Sequence, residues 1–374
     1  MSTCVVTTTK VRTERGYLPT LDGWRAVAIL AVIVDHVFGY EFRSYPALFS
    51  ATRTGPNGVS LFFAISGFLI CSRLLEEYAA MGRISLSGFY IRRASRILPP
   101  AMAYLIVIAV LALAGIILVS PMEWVSSGLF FRNYLPPPST GTGWGGYTIH
   151  YWSLAVEEHF YLIWPITLAL AGPKRARWVA AGLAIAVASW RSWDFHHLLF
   201  EKHFPGILFA SRTDTRLDGL LMGCLAALFL AEARWRALFL RIVRPWVWAF
   251  CAAGYLAIQA VFRRHYYTIL ESALLALLVT ATVLRPNTRI GKLLELPWVR
   301  WIGRLSYSLY LWQQLFLVPG ANPPWVRLQS FPVNLLLLVA ISALSYRFVE
   351  RPLIRLGHRL APPPTPGRQD VGAV

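Results

Sequence analysis

The sequence predicts an all-α polytopic membrane protein, a bundle of about ten transmembrane helices with both termini cytoplasmic. Three observations predict it. Hydrophobic residues make up 56% of the 374 residues and charged residues only 14%, with a mean hydropathy of +0.51. Apolar runs recur at about the length a bilayer core demands. The basic residues are distributed unevenly between alternate loops. A formal charge of +18 and a pI near 10.2 could suggest a nucleic-acid binder. The Lys and Arg residues, however, sit in short loops between apolar runs, so membrane orientation explains them and nucleic acid is not an expected partner.

The ten runs are roughly Leu21–Phe42, Gly58–Leu75, Ala101–Val119, Trp152–Ala171, Trp178–Trp190, Leu217–Ala233, Trp246–Phe262, Thr268–Leu284, Ser306–Val318 and Val333–Val349. With the N-terminus inside, the inner segments collect 24 Lys and Arg residues against 10 outside. That bias supports an even number of spans in a bacterial-type inner membrane. Residues 1–16 read as a polar cytoplasmic N-terminus, without the apolar core and cleavage site of a signal peptide. Residues 17–355 read as one transmembrane domain, and 356–374 as a Pro-rich disordered tail. Cys4, Cys71, Cys224 and Cys251 are scattered without metal-ligand spacing, so neither a disulfide frame nor a metal site is expected. No internal repeat of the transporter kind stands out.

The first run, LDGWRAVAILAVIVDHVFGY, carries Arg25 and His36 eleven residues apart. At 100° per residue both leave one helix face, separated by about 16 Å along the axis. Ionisable groups deep in a bilayer usually face a protein interior or a cavity. The plainer alternative is an Arg25 that snorkels and a His36 satisfied in the core. In the second run, Gly58, Ser60, Ser66 and Gly67 are small residues that allow close helix approach.

The segment GFYIRRASRILPP brings Arg92, Arg93 and Arg96 to the start of the third span, with Pro99 and Pro100 at the helix entrance. Arg93 and Arg96 share a face, and their guanidinium forks suit phosphate; a plain positive-inside cluster is the alternative. Glu157 and Glu158 sit in the fourth run at about the depth of His36, where one carboxylate could orient the imidazole or pair with an arginine. Asp214, Arg216 and Asp218 stand at the outer mouth of the sixth span, as acceptor-side groups or as a local ion-pair cluster. The ninth run, GRLSYSLYLWQQ, is polar for a lipid-facing helix and offers Tyr307, Gln313 and Gln314. In SYRFVERP, Arg347 and Glu350 can pair at i, i+3 and Pro352 closes the helix. His196, His197 and His203 read as loop residues without an assigned role.

Taken in order, LDGWRAVAILAVIVDH, GVSLFFAISGFLI, FYIRRASRILPP, WSLAVEEHFYL, RLDGLLMG, GRLSYSLYLW and FVERPL resemble the membrane-bound acyltransferase family three, over about residues 17–355. That family includes O-antigen acetylases and Nod-factor and macrolide acyltransferases. The resemblance implies a ten-helix enzyme that moves an acyl group, acetyl first among them, from cytoplasmic acyl-CoA to a hydroxyl of a glycan, glycolipid or macrolide-like acceptor. It implies His36 as the catalytic residue, Arg25 as its motif partner, and Arg93 and Arg96 with Arg92 as the donor-binding bases. Glu157 or Glu158 would be the motif acid. Two departures stand out, His159 where the family usually has Gln and Gln313 where it has His; both are expected to line the acceptor pocket without touching the core motif. A soluble esterase-like domain of the kind some relatives have is not expected within these residues, so a partner protein acting in trans is expected if transfer needs one. A proton-coupled exporter using the buried His and Glu, or a non-catalytic membrane binding protein, remains the alternative class.

Overall fold

A computed structural model describes residues 17–41, 54–137, 146–261, 269–317 and 327–362. The expected N-terminal segment 1–16 lies outside them, as does the tail beyond residue 362. The described chain is helical: α1 (Pro19–Glu41), α2 (Gly55–Met81), α3 (Leu86–Leu113), α4 (Pro121–Gly128), α5 (Tyr151–His197), α6 (Leu199–His203), α7 (Thr213–Ala231), α8 (Ala233–Ile242), α9 (Pro245–Val261), α10 (Ile269–Leu284), α11 (Arg289–Leu294), α12 (Pro297–Leu317), α13 (Val333–Ser345), a π-helical turn Tyr346–Glu350, and α14 (Arg351–Leu360). No strand occurs among the described residues.

Each of the ten expected runs falls largely on helix. Four helices, Gly55–Met81, Leu86–Leu113, Tyr151–His197 and the continuous Val333–Leu360, are long and apolar enough to cross a bilayer, and Ala233–Ile242 with Trp246–Ile258 makes a fifth if the bent pair is one span. The fourth and fifth expected runs meet end to end in α5, broken only at Gly172 (φ 69°, ψ 163°). This left-handed residue precedes Pro173, so the chain changes direction without a loop.

Small residues set the helix crossings, as their positions suggest. A Cβ on Gly67 would overlap the Leu220 carbonyl, and one on Gly223 would overlap that of Ala64, so α2 and α7 touch backbone to backbone. Arg216 bonds Ser60 and Cys224 bonds the Gly67 carbonyl, which makes the two helices parallel and in constant register. α1 packs between α2 and α12, and the second half of α5 lies along α7. Cys71, Cys224 and Cys251 are buried free thiols.

Three local expectations need correction. Pro99 and Pro100 lie inside α3 rather than at its start; lacking N–H groups, they leave the carbonyls one turn earlier without their usual helical donors. Pro352 does not end the last helix: it directly follows the π-helical turn, and the helix runs on to Leu360. Residues 356–360, read as disordered tail, are the last turn of that helix.

Candidate active site

The site is built around the inward face of α1. His36 stands near its C-terminal end, partly accessible, with Nδ1 3.1 Å from Oε1 of the buried Gln313 on α12. With the carbonyl end of Gln313 towards the ring, the tautomer protonated at Nδ1 would donate to it and keep the lone pair on Nε2. This corrects two expectations. Gln313 does touch the core motif, and the hydrogen-bond partner of His36 is an amide rather than Glu157 or Glu158.

Three helical turns towards the other end of α1, Arg25 enters a mixed cluster. Arg25, Arg93 and Glu350 are electrostatic neighbours of Arg96, and the Arg93 guanidinium lies 4.0 Å from the centre of the Tyr161 ring. Arg93 is also an electrostatic neighbour of Glu158. Glu157 is held from both sides, by Ser66 Oγ at 2.9 Å and by Tyr161 OH at 2.9 Å. Glu350 is buried and accepts from Ser308 Oγ at 3.0 Å. Its expected partner Arg347 points to the exposed side, because the π-turn rotates Glu350 inward. Tyr307 closes the cluster, with its OH on the Ile97 carbonyl at 2.8 Å and Glu158, Glu350 and Arg96 as electrostatic neighbours.

The structure thus assembles Arg25, Arg93, Arg96, Glu157, Glu158 and Tyr307, and places His36 with Gln313 further along the same helix. Arg92 stands apart. It donates to Glu77 at 3.1 Å, and Glu77 also accepts the backbone N–H of Ser85, so Arg92 ties α3 to the end of α2.

Of the five acceptor-side candidates, Tyr307 and Gln313 fall in the site above, whereas Asp214, Arg216 and Asp218 belong to a different network. Asp218 takes a bidentate pair from Arg191 (2.8 and 3.1 Å) and a bond from Ser272. Asp214 accepts from Trp190 at 2.6 Å and from Arg212, which also pairs with Asp194. Burial raises the Asp214 carboxyl, but the bonds from Arg212 and Trp190 outweigh it and hold the group below the usual carboxylate range. Arg216 bonds Ser60 and lies over the rings of Phe63 and Trp152. These groups clasp α5 to α7. His159 joins that region through Thr213, at 2.7 Å.

Reading the sequence passed over His150. It is 3% exposed, and its ring meets those of Tyr104, Tyr151 and Tyr310 edge to face. Neither ring nitrogen makes a full hydrogen bond among the described residues; the Leu311 backbone and the His36 imidazole are their electrostatic neighbours. Tyr310 OH donates to the His150 carbonyl at 3.1 Å and Gln314 to that of Gly146 at 2.9 Å, which seats this turn on the polar face of α12. The only sequence signal was a histidine at the edge of an apolar run.

An all-α membrane protein that sets a half-open imidazole and a cluster of arginines along one inner helix has the parts of a group-transfer enzyme. Comparison with known proteins gives the family. A profile described as an acyltransferase domain matches residues 18–347, and the chain belongs to that family. It is 28% identical to the peptidoglycan O-acetyltransferase OatA of Listeria monocytogenes, over 92% of this chain and 58% of that protein. It is 26% identical to the O-acetyltransferase OatA of Staphylococcus aureus strain NCTC 8325, over 92% and 58% respectively. A protein of S. aureus strain COL whose name proposes an O-acetyltransferase is 29% identical over 91% and 58%. The chain therefore spans less than three fifths of the length of these relatives. No solved structure matches it.

Proposed function

We propose that the protein is an integral-membrane O-acyltransferase that takes an acyl group, acetyl in the simplest case, from acyl-CoA and places it on a hydroxyl of a cell-envelope glycan or related acceptor. The observation that carries this reading is the single face of α1, where Arg25, joined by Arg93 and Arg96, lies about three turns from an imidazole with one free nitrogen. Phosphate groups are the ligands that clustered guanidinium forks suit best. The separation from Arg25 to His36 is comparable to the reach of an extended pantetheine arm. The anionic end of the donor binds at Arg93 and Arg96, and Arg92 contributes only through the helix it braces.

In the direct mechanism, Nε2 of His36 takes the proton of the acceptor hydroxyl as the oxygen attacks the thioester carbonyl. The C–S bond breaks, and the thiolate leaves and takes up that proton. The charge that His36 gains during the step is spread towards Gln313 through the Nδ1–H bond. The same free nitrogen would serve an acyl-histidine route. Peptidoglycan is the acceptor named for the Listeria relative, and a bacterial inner membrane with ten spans and both termini cytoplasmic is the setting that the charge distribution favours.

The test is transfer from labelled acetyl-CoA in proteoliposomes, with muropeptide, glycolipid and macrolide acceptors offered in parallel. His36→Ala should lower turnover by at least about a hundredfold, the usual scale of general-base loss, with its chromatographic profile unchanged. Wild-type turnover in the folded His36→Ala protein would refute the role, and a wild-type protein that binds acetyl-CoA without turning it over would favour a binding protein. Rapid quench without acceptor would separate the two routes, since only the acyl-histidine route leaves label on the chain.

A further inference from the structure

A second polar cleft opens at the end of the bundle where α2, the middle of α5 and the α7–α8 junction meet. It has a volume of about 890 Å³, and Lys174, Arg175, Arg177 and Arg234 supply four cations to its wall against one carboxylate, Glu232. Glu232 is already shared, accepting from Arg177 and from Arg234 Nε at 2.9 Å. Arg177 is 7% exposed, and its Nε is buried without a hydrogen-bond partner. A buried guanidinium nitrogen of this kind is expensive unless an acceptor meets it. The helical segment after Gly172 also begins at this wall, so its first-turn amides have no acceptor one turn back and add the positive end of a helix dipole.

The surroundings say what form the acceptor takes. Leu75 and Leu228 give the cleft an apolar floor. At its rim Trp178 is 72% exposed, and Leu170, two residues before the break and just beyond the cleft lining, is 82% exposed. An aromatic ring at the polar boundary above a lipid-facing aliphatic flank is the pattern of a membrane interface. A ligand that fits has an anionic phosphate head for the cations and an acyl tail for the flank. The outward-facing Trp178 offers no enclosed slot for a nucleobase.

We propose that this cleft binds the phosphate headgroup of an anionic phospholipid, bracing the α5 break and the α7–α8 junction from the membrane side. The site is separate from the Arg25, Arg93 and Arg96 cluster and uses none of its residues.

Native mass spectrometry of the full chain tests it, with phosphatidylglycerol and phosphatidylcholine titrated separately. One phosphatidylglycerol should be retained at about tenfold lower concentration than phosphatidylcholine. The double variant Lys174→Gln, Arg175→Gln changes two exposed side chains and should lose that preference while keeping its unfolding midpoint in lipid-free detergent. Arg355→Gln, Arg359→Gln is charge-matched, lies on exposed positions of α14 and should keep the preference. Equal retention of the two lipids, an unchanged preference in the first variant, or an equal loss in both variants would overturn the site. Displacement of phosphatidylglycerol by 3′,5′-ADP in equal amount would also overturn it, by assigning the cleft to a soluble phosphate.

Discussion

Gln313 and His36 are separated by 277 positions, yet Gln313 is the side chain that meets the imidazole at Nδ1. The weight of this contact is that of one polar hydrogen bond in a shielded site, about 0.5–1.5 kcal/mol, which is up to about tenfold in rate. Gln313→Ala should therefore lower kcat by up to that factor and leave the KM for acetyl-CoA unchanged. Gln313→His should keep activity, since a ring nitrogen can accept the same proton. A change in KM alone would make Gln313 part of a binding pocket instead. His150 permits a sharper separation. His150→Phe keeps the edge-to-face packing on Tyr104 and Tyr151 but removes two nitrogens buried without a full bond. An unpaired buried polar group costs about 1–3 kcal/mol, so the variant should be at least as stable as the wild type. Its turnover should nonetheless fall, because the second imidazole is an electrostatic neighbour of His36; unchanged turnover would reduce His150 to packing. Arg25 and His36 were readable in the chain, since helical period and the cost of charge in lipid both act locally. Gln313 and His150 were not, because spacing along one helix does not say which other helix faces it.

At the scale of the element, the second half of α5 is pinned along α7 by three ion pairs that run antiparallel, Arg177 with Glu232, Arg191 with Asp218 and Asp194 with Arg212. Both members of the middle pair are nearly inaccessible, with side chains 4% and 2% exposed. Breaking such a pair strands a buried charge, at a cost of about 3–5 kcal/mol. Asp218→Leu should lower the unfolding midpoint markedly, and Arg191→Met with Asp218→Leu should recover much of it by removing the stranded partner. Arg73→Gln, at the exposed pair with Glu76, should change stability by less than about 1 kcal/mol. If Asp218→Leu instead kept its midpoint and raised the acceptor KM, Asp218 would be an acceptor-side group after all. The sequence allowed both an acceptor site and an ion-pair cluster here, and the structure pairs Asp218 with Arg191. The run of α5 through two expected spans was hidden for a related reason. Gly172 and Pro173 look like a short loop, but a single left-handed residue is enough to redirect a helix that resumes at once.

The whole molecule has a polarity that follows from its parallel and antiparallel contacts. Because α2 and α7 are parallel in register, their C-terminal ends share one end of the bundle. The turn at Gly82, the pair of Glu77 with Arg92 and the Arg177 clasp to Glu232 all gather there. At the opposite end lie α6 and the Asp194, Arg212 and Asp214 cluster, since α5 runs antiparallel to α7. The first end collects the arginine-rich segments that the charge count assigns to the cytoplasm, so orientation and donor access stand or fall together: a cytoplasmic thioester needs Arg93 and Arg96 on its own side. Arg83 and Lys202 are exposed residues near the two ends. In intact cells or right-side-out vesicles, a membrane-impermeant maleimide should label Lys202→Cys and spare Arg83→Cys, which should react only after the membrane is opened. Substituting serine at any native cysteine that gives background keeps the readout clean. Labelling of both variants from outside would remove the through-membrane arrangement, and labelling of Arg83→Cys alone would invert it and put the arginine cluster out of reach of cytoplasmic acyl-CoA.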